Sequence, residues 1–99
     1  MLNYTVYLYN NNKHKNYREY NFKLKEPITR EFLSELISEV NEGYGLVHRV
    51  EIELMGNSIL LEPDEDMKPI LDEFHEKLAN IIEGDIETLK QIIERLKRL

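Results

Sequence analysis

Three histidines, a run of acids and three serines are the side chains of this chain whose types suit metal, acid–base or nucleophilic chemistry. His14 falls in an Asn-rich polar stretch, His48 in an alternating apolar segment, and His75 beside the apolar face of a helix. None stands four residues from another, the spacing that brings two imidazoles to one helical face around zinc. His48 and His75 therefore read as partly buried structural residues, and no metal or cofactor site is expected. The run Glu62, Asp64, Glu65 and Asp66 lacks the glycine and distal glutamate of a calcium loop. Placed before a helix, it reads as charge complementing the helix dipole. Ser34 and Ser38 lie on the polar face of a helix and Ser58 follows a hairpin turn, with no nucleophile elbow around any of them. Gly43-Tyr44-Gly45 leads into a strand, where a phosphate loop would lead into a helix. Fifteen glutamates produce carboxylate pairs by chance, so none is singled out as an acid–base pair. These patterns carry no catalytic assignment, and the chain is expected not to be an enzyme.

Binding chemistry has a clearer footprint. Residues 1–30 hold six Lys or Arg against two acids, whereas residues 31–99 hold seven against seventeen. The basic part is the first hairpin, whose outward positions carry Tyr7, Tyr9, Tyr17 and Lys23 and whose loop adds Lys13 and Lys15. Aromatic rings interleaved with cations can stack on bases and neutralise phosphates, the pattern of a single-stranded nucleic-acid surface. Tyrosines also pair across strands simply to cover an exposed sheet face. A net charge of −6 opposes long-range attraction to nucleic acid, which ranks nucleic-acid binding second to a protein partner.

The elements that must position these residues follow from hydrophobic period. Leu2, Tyr4, Val6 and Leu8 alternate with polar or tyrosine positions, as do Tyr20, Phe22 and Leu24, and pairing Tyr9 with Tyr17 sets all the apolar ones on one face. Pro27 ends the second strand, and Thr29 caps a helix to about Glu42 carrying Phe32, Leu33, Leu36, Ile37 and Val40, with Ile28 and Leu33 as a staple. Gly43 and Gly45 stop it. A third strand over about 46–55 places His48, Val50, Ile52 and Leu54 on one face, and a Gly56-Asn57 turn pairs Leu54 with Ile59 and Ile52 with Leu61. A second helix carries Met67, Ile70, Leu71, Phe74, Leu78, Ile81 and Ile82. The expected fold is α+β: two hairpins forming a four-stranded antiparallel sheet with helices on one face, in the order ββαββα(α). The two hairpin–helix halves, each with Glu-Pro before its helix, read either as a duplication or as a common way to leave a strand; the strand order is left open.

At 99 residues the chain is one domain with a modest core. No apolar run approaches a bilayer span, and Met1-Leu2-Asn3-Tyr4 lacks the pattern of a secretory leader, so an intracellular site is expected and no membrane partner. With no cysteine, disulfides and thiol chemistry are excluded. High charge without cysteine suits a thermophile, while nine asparagines argue the other way.

The C-terminal stripe bears on self-association. Four strands about 4.8 Å apart make a sheet about 19 Å wide, which two helices about 10 Å in diameter already cover. Gly84-Asp85 either breaks the helix or is tolerated in one helix to about residue 98, roughly 48 Å long against strands of about 27 Å. In both cases Ile82, Ile86, Leu89, Ile93 and Leu96 need a further surface, and residues 84–99 are expected to be a helical extension through which the protein forms a homodimer. The alternative is a helix folded back over the edge of its own core.

The strand Leu2-Asn3-Tyr4-Thr5-Val6-Tyr7-Leu8-Tyr9 with its Asn-rich loop, the Gly43-Tyr44-Gly45 bend and the charged, isoleucine-rich tail together resemble the small uncharacterised proteins of filamentous viruses of the thermoacidophilic archaeon Acidianus. The likeness covers the whole chain and rests on length, element order and residue usage. It implies a heat-stable viral accessory protein in the host cytoplasm that binds an unidentified host or viral protein, and it carries over no catalytic or binding residues.

Overall fold

The computed structural model describes residues 2–10, 17–81 and 94. Its elements are β1 (Leu2–Tyr9), β2 (Tyr17–Leu24), α1 (Arg30–Tyr44), β3 (Arg49–Leu54), β4 (Asn57–Leu61) and α2 (Met67–Ile81). The strands form one antiparallel sheet in the order β2-β1-β3-β4, so the fold is α+β. The first hairpin pairs as its alternation predicts, from Leu2↔Leu24 through Tyr4↔Phe22 and Val6↔Tyr20 to Tyr9↔Tyr17. Between the hairpins, β1 lies beside β3 with Val6↔Ile52 at the middle of the ladder, and neither of those side chains reaches solvent.

One face of the sheet builds the core. Leu2, Tyr4, Val6 and Leu8 of β1 and Val50, Ile52 and Leu54 of β3 are buried against Leu33, Leu36, Ile37 and Val40 of α1 and Met67, Leu71, Phe74 and Leu78 of α2. At the edges, Tyr20, Phe22, Leu24 and Ile59 are half-buried. Both helices begin on side-chain caps. Thr29 Oγ1 accepts the Phe32 N–H at 3.2 Å, and Ile28 and Leu33, flanking that cap, are both buried. Asp66 Oδ1 accepts the Lys68 N–H, and Pro69 sits within the first turn, where its missing N–H goes unused. The acidic run shapes the entry to α2: the Glu62 N–H donates to Glu65 Oε1, and the Glu65 N–H to the Glu62 carbonyl.

Four local expectations are corrected. The β3–β4 turn centres on Met55-Gly56, so Leu54 pairs with Asn57, Ile52 with Ile59 and Val50 with Leu61. Met55 and Gly56 have φ of 54° and 80°, the two positive values of a type I′ turn, whose twist matches the strands. The register moves by two residues, which leaves every side chain on its expected face. His48 is exposed and Val47 is buried in its place, because ladder pairing begins only at Arg49 and the alternation does not extend upstream. There the chain is held by the Val47 N–H on Asn41 Oδ1, the His48 N–H on the Tyr9 carbonyl, and Asn10 Nδ2 on the Gly45 carbonyl. Strand β3 is correspondingly shorter than the expected 46–55. Helix α1 passes through Gly43 to Tyr44, whose ring receives the Arg18 guanidinium 3.1 Å from its centroid, and ends where Gly45 takes φ 100°.

His75 is the buried polar residue of this core, at 4% exposure. The Tyr4 hydroxyl accepts the Ile28 N–H at 3.1 Å and is hydrogen-bonded to His75 Nε2 at 2.7 Å, joining β1, the start of α1 and α2. Burial pushes the imidazole down to about 4, against the smaller opposing effects of Asp72 and the Leu71 carbonyl, so the ring is neutral at pH 7. Burial likewise raises the Tyr4 phenol well above its ordinary value, and the bond from Ile28 only partly offsets that.

The extension expected over 84–99, its break or continuity at Gly84, and the interface residues Ile82, Ile86, Leu89, Ile93 and Leu96 lie outside the described residues, Glu94 excepted. No helix among the described residues is long and apolar enough to cross a membrane.

Candidate functional site

Alternation along the strands sends one row of each to the face away from the helices. Tyr7 and Tyr9 of β1 and Tyr17 of β2 meet there. The Tyr17 ring lies 5.6 Å from Tyr7, nearly perpendicular, and 5.5 Å from Tyr9 at 46°. These separations fall in the favourable range for aromatic pairs. Tyr17 is about half exposed, at 51%. Three of the six positions expected on the basic, aromatic hairpin are thus brought together. Lys23 shares the face but stands opposite Asn3, beyond Asn21 and Glu19 along the strand, away from the rings. Lys13 and Lys15 lie outside the described residues.

The immediate neighbours of the tyrosines are carboxylates, and strand order is the reason. Tyr7 stands between Glu19 of β2 and Glu51 of β3, and Tyr9 between Tyr17 and Arg49. The Tyr9 hydroxyl donates to Glu51 Oε2 at 3.2 Å, while the Arg49 guanidinium lies 4.5 Å from the Tyr9 ring centroid. Glu53 follows Glu51 along β3, opposite Thr5, whose hydroxyl donates to Asn21 Oδ1 across the other ladder. Partial burial raises the Tyr7 phenol first, and the charges of Glu19, Glu53 and Glu51 push it the same way. Tyr9 is raised by burial and by Glu51, with Arg49 opposing. Both phenols therefore stay protonated at any ordinary pH, as hydrogen-bond donors set among acceptors.

Sequence reasoning missed Arg49, Glu51 and Glu53 as part of this face. The alternation of β3 turns each of them outward, and what joins them to the tyrosines is the β1–β3 ladder, which no local pattern encodes. Of the histidines, His75 is buried structurally as expected and His48 is not. Among the described residues no three His, Asp or Glu side chains converge as a metal site. Chemically the face offers aromatic surface, phenol donors and carboxylate acceptors on a four-stranded sheet. No family model, curated protein or solved structure matches the chain.

Proposed function

We propose that this protein is a non-enzymatic viral accessory protein of the host cytoplasm that acts by binding another protein through the tyrosine-bearing face of its sheet. The observation that supports this reading is the placement of Tyr7, Tyr9 and Tyr17 among Glu19, Glu51 and Glu53. Carboxylates beside the rings repel phosphates, while tyrosine with adaptable polar neighbours is the composition of protein-binding hot spots. The partner surface this face complements is a protein patch bearing Lys or Arg. Affinity capture with the native chain and with Tyr7→Ala/Tyr17→Ala tests it: a host or viral protein retained by the first and lost by the second is the expected result. Equal retention overturns the assignment of the face.

The second reading is single-stranded nucleic-acid binding by Tyr7, Tyr9, Lys13, Lys15, Tyr17 and Lys23, favoured by the stacking geometry of the three rings. Oligonucleotide binding that weakens steeply with salt and falls in Tyr9→Ala and Lys15→Ala would select it over the first. Homodimerisation through Ile82, Ile86, Leu89, Ile93 and Leu96 remains part of the proposal on the apolar spacing of those residues. Sedimentation of the native chain beside Leu89→Glu tests it, since a buried unpaired carboxylate dissociates such an interface.

A further inference from the structure

On the opposite side of β2 from the tyrosines, a groove of about 440 Å³ runs between that edge strand and α1. Its floor is Phe22, Phe32 and Leu36, with the Phe22 and Phe32 rings edge to face at 4.9 Å. Glu35, Glu39 and Glu42 line its rim, and none of them has an ion pair among the described residues. Positions 32, 35, 36, 39 and 42 form one stripe along α1, about 15 Å long at 1.5 Å per residue, the length of four to five residues of extended chain.

The strand beside this groove is open. β2 is the outer strand of the sheet, and its eight residues pair with β1 without a bulge or proline. Alternate residues of such a strand turn their N–H and C=O groups outward, a template for a further strand. We propose that β2 and α1 capture an extended segment of another protein as a fifth strand, with its inward side chains apolar at the centre and basic at the ends. The apolar side chain rests on Phe22, Phe32 and Leu36, and the flanking Lys or Arg side chains reach Glu35, Glu39 and Glu42. Two other occupants fit less well: a second copy pairing β2 to β2 would bring two acidic rims together, and a nucleic acid would set phosphates against the same carboxylates. This surface is separate from the tyrosine face, and the proposal does not depend on that reading.

The test uses the full chain and the blocked peptide Thr-Arg-Thr-Leu-Thr-Arg-Thr, followed by calorimetry and by hydrogen exchange. Saturable binding is expected, with new protection in β2 amides and none in β4. Glu35→Gln/Glu39→Gln/Glu42→Gln, a change confined to the exposed face of α1, should weaken it about tenfold, as should glutamate in place of the peptide's arginines. Two peptides N-methylated on opposite sets of alternate amides provide the signature of strand addition. One should lose about tenfold in affinity and the other bind nearly as the parent, because only one set faces β2. Absence of saturable binding up to about 1 mM, equal tolerance of both methylated peptides, or insensitivity to the glutamines would overturn the proposal. So would displacement of the peptide by a single-stranded oligonucleotide, or a native dimer whose β2 amides are already protected.

Discussion

The two edges of the sheet are finished differently. At the β4 edge the strand is five residues long, Leu61 is buried at 1% exposure, Pro63 comes two residues after it, and α2 packs on the strand. At the β2 edge the strand is eight residues long, its inward side chains Arg18, Tyr20, Phe22 and Leu24 are only half-covered, and α1 reaches it through the Phe32 ring. Two hairpins each followed by a helix have thus produced one closed edge and one open edge. Short strands, prolines and covering helices are the devices by which proteins keep strand edges from pairing, and here they gather on one side. A fold this small can hold its core along the β1–β3 seam and the closed edge, and leave the other edge for recognition.

The contrast can be broken most directly by equal truncations. Leu61→Ala should cost about 3–4 kcal/mol, the range for a fully buried leucine, whereas Leu24→Ala at the open edge should cost about 1 kcal/mol. Urea denaturation measures both, and equal losses would mean that the edges are equivalent. Acid should act through α2, the helix that closes the β4 edge. The folded His75 is held near 4 while the unfolded ring titrates near 6.5, so unfolded chains bind the proton first. The stability this ring contributes is complete above about pH 6.5 and is lost as pH falls toward 4, about 3 kcal/mol in all. Urea midpoints at pH 7.5, 5.5 and 4 should show the loss, and His75→Leu should flatten it.

Smaller changes sharpen the comparison from the side of each hairpin. Thr29→Ala removes the cap of α1, the helix beside the open edge, and should cost about 1 kcal/mol by the same denaturation. Met55→Asn relieves a bulky side chain from positive φ at the turn leading into the closed edge and should stabilise by about 0.5 kcal/mol, read as a raised urea midpoint.

Much of this architecture is legible in the chain. The period-two rows of β1 and β2 fix which face each residue takes, because any odd shift would turn Val6 and Phe22 to solvent, and pairing Tyr9 with Tyr17 then sets the register. Thr29 and Ile28 mark the start of α1 by chemistry that is local in sequence. What is not legible depends on distant partners or on conformation imposed from outside. Methionine has no preference for positive φ, so the β3–β4 turn looks better one residue later, at Gly56. His48 continues an alternation on paper that ends in space once β3 stops pairing. The tyrosine face is read correctly as a cluster but with basic surroundings, because nothing in residues 2–24 says that β1 takes the central place beside Glu51 and Glu53. The groove goes unread for the same reason: whether Phe22 lies in the middle of a sheet or at its rim is a matter of strand order.

The ladder between β1 and β3 carries a consequence for how the chain reaches this structure. Each hairpin and its helix form from neighbours in sequence, on the microsecond scale of local contacts. The seam instead joins residues 40 to 50 positions apart, and the Tyr4–His75 bond joins residues 71 apart. The entropy of closing those loops is lost before Val6 and Ile52 gain anything from meeting, so the docking of the two halves is expected to limit the folding rate. Mutations in the seam then slow folding, and mutations at the β2 edge hasten unfolding. A partner bound as a fifth strand would lengthen the lifetime of the native molecule without changing the speed at which it forms.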